Sequence, residues 1–462
     1  MEGRSSTLAN GMEAGEDRAR REPNVIVRED YQHDKDKVRR MRKSLYLAAK
    51  ERGREFYTLY DKVCDWDVLV EAWRRIKENG GKGGVDGLEF SDLQGIDRDD
   101  HSREVAYIRE TQQMLREKRY KPLPVRRVYI EKVNGKLRPL GIPALRCRLV
   151  QAAVQIVLEP IFEAQFAGSS YGFRPKRSAK QASKVIRDAI QEGYRQVVDL
   201  DLADYFGSIP HKQLMERVAE RVKDGAVLKL LRGWLNAGYV EGGVRHDTPR
   251  GTPQGGVVSP LLSNLYLDTI DHLVERSYDA REVRWVRYAD DALLLCKRDA
   301  GEVYEAVKGE IEALGLTVNT EKTKRVDVHE TGFDFLGFHF SWRESPRYRG
   351  RFYSYIFPAR KSQVRLREKL RADTSKRAPI PPEEFVTQVN QIARGWAEYY
   401  RHTSASKSFQ TAQRFINRRV RSYLMQRGKR RGRGYRQYPD DYLHKMLGLI
   451  NLKAKGWICY AH

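Results

Sequence analysis

Asp290 and Asp291 stand side by side in "RYADDALLLC", directly ahead of the apolar run Ala292–Leu295. Such a run reads as a buried strand, where unpaired charge is expensive. Two neighbouring carboxylates cannot neutralise each other, and their proximity raises one pKa. A divalent cation resolves the conflict, because Mg²⁺ takes carboxylate oxygens together with substrate phosphates. On its own an Asp-Asp turn is more often merely solvated. Here it has a candidate partner. In "VVDLDLADYF" the alternation puts Asp199 and Asp201 on one strand face, with Val198, Leu200 and Leu202 on the other. An acid at a strand end plus an Asp pair at a hairpin tip is the ligand set a two-metal phosphoryl-transfer centre requires.

The elements that must position these acids are legible as patterns. "PVRRVYIEKVNGKLRPLGIP" predicts two strands around Asn134-Gly135, a strong hairpin signal. Helices are expected over 102–118, 144–166, 212–237, 258–277 and 301–314, with a strand at "QVVDLDL", a hairpin over 283–297 and a short aromatic strand pair at "FDFLGFHF". Val38, Met41, Leu45 and Ala49 recur at helical spacing in a basic N-terminal segment whose helical pattern continues to Gly80. Past Pro381 only helices are expected, with Phe385, Val389, Ile392, Trp396 and Tyr399 as one apolar stripe. Mixed strands and helices followed by helices alone give an α+β body and a separate helical domain.

The chain of 462 residues carries 86 Lys and Arg against 62 Asp and Glu, a formal charge of +24. That surplus points to a polyanionic partner, nucleic acid first. It is also local: residues 401–436 hold twelve Lys or Arg and no acid. A solvated helix face normally mixes signs, so "RGKRRGRGYR" reads as a flexible basic segment for structured RNA. Cys64, Cys147, Cys296 and Cys459 are widely spaced with no C-x-x-C pair, which suggests neither a zinc site nor a disulfide framework. No apolar run reaches ~18 residues, so no membrane span is expected and a cytoplasmic, bacterial setting fits.

The blocks "GKLRPLGIP", "SYGFRPKRSA", "DLDLADYF", "GTPQGGVVSPLLSNLYLD", "RYADD", "LGLTVNTEKTK" and "FDFLGFHF", in this order, resemble group II intron reverse transcriptases. The resemblance covers about residues 40–460. Residues 1–33, polar and without periodicity, are expected to be disordered, and 34–91 to form a basic helical extension. The resemblance implies a right-hand polymerase, with fingers and palm whose antiparallel sheet packs on helices (92–345) and an all-helical thumb/maturase domain (358–462). It implies an RNA-directed DNA polymerase using dNTPs, an RNA template and a DNA primer or RNA–DNA hybrid, with two Mg²⁺ ions for which Mn²⁺ could substitute. Binding of structured intron RNA and help in its splicing follow from the same resemblance, through "ARGWAEYYRHTSASKSF".

Carried over residue by residue, Asp201, Asp290 and Asp291 match the metal-binding triad, and Asp199 lies behind it. Phe206 matches the steric gate beneath the sugar. Lys132 and Arg138 look like the pair gripping the triphosphate, suited as point charge and planar fork. Gln254 resembles the residue packing against the templating pair, with Gly255 and Gly256 allowing close backbone approach. Lys322 matches a lysine proposed as general acid for the pyrophosphate leaving group. Arg174, Arg427, Lys429, Arg430, Arg431 and Arg433 are the expected nucleic-acid contacts. The C-terminal H-N-H endonuclease of many relatives is not expected here. A domesticated role in antiviral defence, CRISPR adaptation or DNA repair is the alternative biology, and a splicing factor without polymerase activity is a third. The intact acidic triad argues against the last.

Overall fold

The computed structural model describes residues 34–94, 100–131, 135, 137–375 and 379–453. The Asn134-Gly135 turn and Lys132 therefore fall wholly or partly outside the described residues, as do Cys459 and the tail 1–33. The N-terminal part is helical: α1 (Lys35–Ala49), the single turn α2 (Tyr60–Val63), α3 (Trp66–Asn79) and α4 (Ser102–Arg116). Val38, Leu45 and Ala49 face inward along α1, as their spacing predicts. The helical pattern expected to run on to Gly80 is interrupted between α1 and α3. Asp65 restarts it by accepting from Asp67 N at its N-cap.

Next come the hairpin β1 (Val125–Glu131) and β2 (Leu137–Ile142), then α5 (Leu145–Glu163) and α6 (Ala179–Gln191). Nearly every α5 side chain is buried, so this helix runs through the core rather than lying on it. α1 and α3 pack against α5, and Arg42 of α1 pairs with Glu159 of α5. Segment 34–91 thus shares one core with the body instead of standing apart from it.

β3 (Gln196–Leu200) leads through α7 (Tyr205–Ser208) into α8 (His211–Ala219) and α9 (Gly225–Leu235). The single helix expected over 212–237 is therefore two. The reason is Asp224, which caps α9 by accepting from Ala226 N (2.9 Å) and Val227 N (3.2 Å). Its other oxygen accepts from Leu59 N and Tyr60 N, both at 2.8 Å. One carboxylate satisfies the orphan amides of two helix starts.

The chain continues through β4 (Tyr239–Glu241), β5 (Val244–His246), α10 (Ser259–Ser277), β6 (Val283–Tyr288), β7 (Asp291–Cys296), α11 (Gly301–Ala313) and β8 (Lys324–Asp327). β9 (Phe333–Phe335), β10 (Phe338–Glu344) and β11 (Phe352–Pro358) follow, then α12 (Arg360–Asp373), α13 (Pro382–Tyr400) and α14 (Ser406–Arg427). β11 and α12 add to the expected aromatic strand pair and helical end. Among the described residues the strands form three sheets, ordered β2-β1-β4-β5, β6-β7-β3-β8 and β11-β10-β9. The architecture is α+β, mainly antiparallel, with a helical C-terminal region. No helix of the described residues is long and apolar enough to cross a membrane.

Strand alternation divides the β6-β7-β3-β8 sheet between two cores. Val198, Leu200, Trp285, Ala292 and Leu294 face the cluster built on α5 and α10. Val197, Val286, Leu293 and Leu295 face the cluster containing β9–β11 and the C-terminal helices. In α13 the deepest positions are Phe385, Val389, Ala393 and Ala397. Ile392, Trp396 and Tyr399, expected on the buried stripe, pack on its flank while two alanines let the helix approach closely.

Candidate active site

β3 pairs antiparallel with β7, with Leu200 opposite Ala292 and Asp199 opposite Leu293. β6 and β7 form a hairpin closed by the Tyr288–Asp291 pair, so the turn consists of Ala289 and Asp290. This register brings Asp201, just past β3, and the Asp290–Asp291 pair to one end of one sheet. Asp291 and Asp199 point to the same face as Leu293 and Val197. Asp290 therefore lies in the turn and Asp291 is the first residue of the strand, ahead of its buried run.

Their chemistry reflects crowding. Burial among the neighbouring acids pushes Asp291 up to about 7, and repulsion from Asp290, Asp199 and Asp201 adds to it, although the residue is exposed at the surface, which screens both effects. Burial likewise pushes Asp199 up to about 6, with Lys324 pulling it down and Asp201 pushing it up. Asp290 is also raised, by burial first, against the attraction of Arg138 and Arg287. Lys322 Nζ lies 3.2 Å from Asp201 Oδ1 and serves as its counter-ion. Among the described residues, no three acidic, histidine or cysteine side chains converge as they stand into a metal cage. The donor set nonetheless suits a hard divalent cation, being oxygen-only, anionic and mutually repelling.

This crowding has a measurable sign. A carboxyl raised in the folded state binds more protons than the same group unfolded. Its contribution is favourable at low pH and is lost as pH rises from about 4 through the folded values of about 6 and 7. In chelator, the urea midpoint should fall between pH 5 and pH 8. Asp291→Asn should flatten that fall, gaining ~1 kcal/mol at pH 8 once solvent screening is allowed for. Equal pH slopes for the variant and the parent protein would refute the repulsion.

Facing the acids are the hairpin and a glycine-rich loop. Arg138 Nε donates to Gln254 Oε1 at 2.9 Å, and Gly141 N donates to Gln254 O at 2.7 Å. Gly255 has φ 110°, and a Cβ there would lie 2.4 Å from Gly141 O. The glycine is what allows the loop to close on β2. Phe206 is buried in α7, edge-on to Tyr205 with centroids 5.4 Å apart. Its carbonyl accepts from Thr252 N at 2.7 Å, which ties it to the loop carrying Gln254. The structure thus assembles Asp201, Asp290, Asp291, Lys322, Arg138, Phe206 and Gln254 in one region, while Lys132 lies outside the described residues.

Arg174 is a correction. It is 3% exposed, forms an ion pair with Glu163 at 2.9 Å, and donates to Ser170 O at 2.9 Å. A guanidinium saturated inside the protein has nothing left for a phosphate, so it fastens the loop after α5. The basic C-terminal run is also not uniform. Arg419 is buried and donates to Thr374 Oγ1 (3.1 Å) and Arg371 O (2.9 Å). Arg421 Nε donates to Tyr438 O at 2.7 Å, and Arg427 Nη1 donates to Ile380 O at 2.6 Å. These hold the helical end together. Lys429, Arg430, Arg431 and Arg433 are exposed on the loop after α14. The chain then returns to the helix, where Asn417 Nδ2 donates to Asp440 Oδ1 at 2.8 Å. The basic segment is a loop fastened at both ends rather than a free strand.

Comparison with known proteins agrees with this geometry. Residues 130–340 match the family described as reverse transcriptase (RNA-dependent DNA polymerase). Residues 363–439 match the group II intron maturase-specific domain. Protein YkfC of Escherichia coli (strain K12) is 37% identical over 346 residues, spanning 66% of this chain and 88% of that protein. The group II intron-encoded protein LtrA of Lactococcus lactis subsp. cremoris is 37% identical over 220 residues, spanning 47% of this chain and only 35% of LtrA. The solved partial Cas6-RT-Cas1–Cas2 complex shares 24% identity at a TM-score of 0.34, over 55% of this chain and 42% of that one, too slight a likeness to carry an argument. With both domains matched in order and most of one relative spanned, the chain belongs to the group II intron reverse transcriptase and maturase family, a family of RNA-directed DNA polymerases.

Proposed function

We propose that the protein extends a DNA primer with dNTPs on an RNA template, and that it also binds and helps splice a structured intron RNA. The observation that carries the first part is the register that places Asp201, Asp290 and Asp291 at the same end of one sheet, opposite the Arg138–Gln254 pair. Asp201, Asp290 and Asp291 would hold two divalent cations, Mg²⁺ with Mn²⁺ as substitute. When bound, such ions polarise the primer 3′-hydroxyl and offset charge on the transferring phosphate.

The chain's own residues do the rest. Arg138, with Lys132, binds the triphosphate, and Gln254 holds the Arg138 guanidinium in place from the loop. Lys322 is placed beside Asp201 to give a proton to the leaving pyrophosphate. Phe206 fills the space a 2′-hydroxyl would need. On this reading 34–345 forms fingers and palm, and 358 onward forms the thumb and maturase region. Residues 34–91 act as part of the first body, since they share its core. The matched maturase-specific domain and the exposed Lys429–Arg433 loop support the RNA-binding part. A bacterial cytoplasm is the proposed setting.

The test is Mg²⁺-dependent extension of a DNA primer annealed to RNA by the purified chain; absence of extension with either Mg²⁺ or Mn²⁺ would refute the polymerase reading. The gate gives a sharper check. Phe206→Ala should lower the preference for dNTP over rNTP roughly tenfold or more, because discrimination by excluded volume is lost with the ring. The ratio of incorporation efficiencies measures it. An unchanged ratio would return Phe206 to a purely packing role.

A further inference from the structure

Beneath the Ala289–Asp290 turn lies a buried polar cluster that none of these roles uses. Arg287, Asp271 and Asn264 are 1%, 0% and 1% exposed. Arg287 Nε donates to both oxygens of Asp271, at 2.8 and 3.0 Å. Trp285 Nε1 donates to the same carboxylate at 2.7 Å, so Asp271 is held from two sides. The far end of the guanidinium divides its donors. Nη1 reaches Asn264 Oδ1 and the carbonyl of Ala289, each at 2.9 Å. Asn264 then passes the connection on, its Nδ2 donating to Gly172 O at 2.7 Å.

Gly172 closes the circuit from the opposite side of the turn. A Cβ on Gly172 would lie 2.3 Å from Ala289 N, so the two backbones touch. The strand pairing Ser170↔Arg287 brings this loop alongside β6. Ala289 itself has φ 58°, a left-handed conformation unfavourable for alanine. An isolated Ala-Asp turn would not keep it. Three buried groups on α10 and β6, plus one glycine contact, hold the peptide that aims Asp290 and starts β7 at Asp291.

We propose that Arg287, Asn264 and Asp271, with Gly172 as their backstop, are positioning residues that set the placement of Asp290 and Asp291 and hence the site's affinity for divalent cations. The inference rests on the metal-binding role proposed for those two acids. A buried ion pair of this kind is weak evidence for stability, since apolar replacements often match it. Its connection to one strained turn, rather than to the core at large, assigns it to geometry.

The experiment reads cation affinity directly, so that it does not depend on polymerase activity. Mn²⁺ binding to the full chain is titrated by electron paramagnetic resonance for the parent protein, Asn264→Ala, Arg287→Lys and Gly172→Ala. Urea midpoints are measured alongside. Arg287→Lys keeps the buried charge opposite Asp271 but cannot span Asn264 and Ala289 together. Gly172→Ala removes no hydrogen-bonding group and displaces the turn by contact. Each variant that folds should bind Mn²⁺ at least fivefold more weakly, and the Mg²⁺ concentration for half-maximal extension should rise by the same factor, with RNA affinity unchanged. Affinity equal to the parent in the folded variants, or a loss that merely follows the unfolded fraction, would overturn the proposal. Parent protein that binds Mn²⁺ without extending primers would refute the polymerase reading and leave this one standing on its titrations.

Discussion

Asp290→Asn and Asp201→Asn are each expected to lower primer extension by a factor on the order of a thousand or more. An amide offers one neutral oxygen where a carboxylate offers two anionic ones, so a ligand is weakened at the point where charge develops. The loss should fall on turnover, because the basic side chains that would hold RNA, Lys429–Arg433 on the loop after α14, are left unchanged. RNA affinity in a filter-binding assay should therefore stay within about twofold of the parent, and splicing of a parent intron, where one flanks the gene, should persist. The two sites carry different consequences. Asp201→Asn also removes the charge opposite Lys322 Nζ, 3.2 Å away, whereas Asp290→Asn relieves repulsion in a crowded turn. Both should be inactive for extension, and substantial extension by either would contradict the metal assignment.

The second large effect concerns salt. Each basic group that neutralises a phosphate releases a counterion and steepens the slope of log affinity against log salt by ~0.7 to 0.9. Replacing Lys429, Arg430, Arg431 and Arg433 together by Gln should flatten that slope by roughly 3 units if all four reach phosphates. Over a fourfold range of salt, that is roughly a sixtyfold difference in how affinity responds. Arg427 is left in place, because its contact with Ile380 O anchors the helix end and its removal would confuse lost binding with lost structure. Turnover at saturating template should change little. An unaltered slope would mean that the loop only adds solubility.

The candidate acids were legible from local pattern, while Arg138, Phe206, Gln254 and Lys322 came from the family resemblance. The Asp pair falls where a strand pattern breaks, and period-two alternation put Asp199 and Asp201 on one face. These are local signals. The helix 212–237 was misread because its apolar pattern runs across Asp224, and only the partner amides of Leu59 and Tyr60 reveal that the carboxylate there starts a new helix. Arg174 failed differently: in a basic stretch nothing local marks one arginine as inward, and its partner Glu163 lies across a loop. The same holds for Arg419 and Arg421, whose charges read like their exposed neighbours'. The Asp271–Arg287 pair was invisible because each residue looks ordinary alone, and tertiary contact creates its meaning.

The central strands β3, β6 and β7 of the sheet that carries the acids are buried on both faces over most of their length. Val197, Val286, Leu293 and Leu295 belong to the cluster that also contains α6, the β9–β11 sheet and the C-terminal helices, with α6 packing directly on β6. Burying them is worth roughly 1.5 to 3 kcal/mol each, so together they rival the 5 to 15 kcal/mol that typically separates a folded domain from its unfolded chain. Two families recognised separately, over 130–340 and 363–439, thus contribute to one buried core in this protein. A lineage that discarded the maturase region would have to cover again the part of that shared core which the C-terminal helices close.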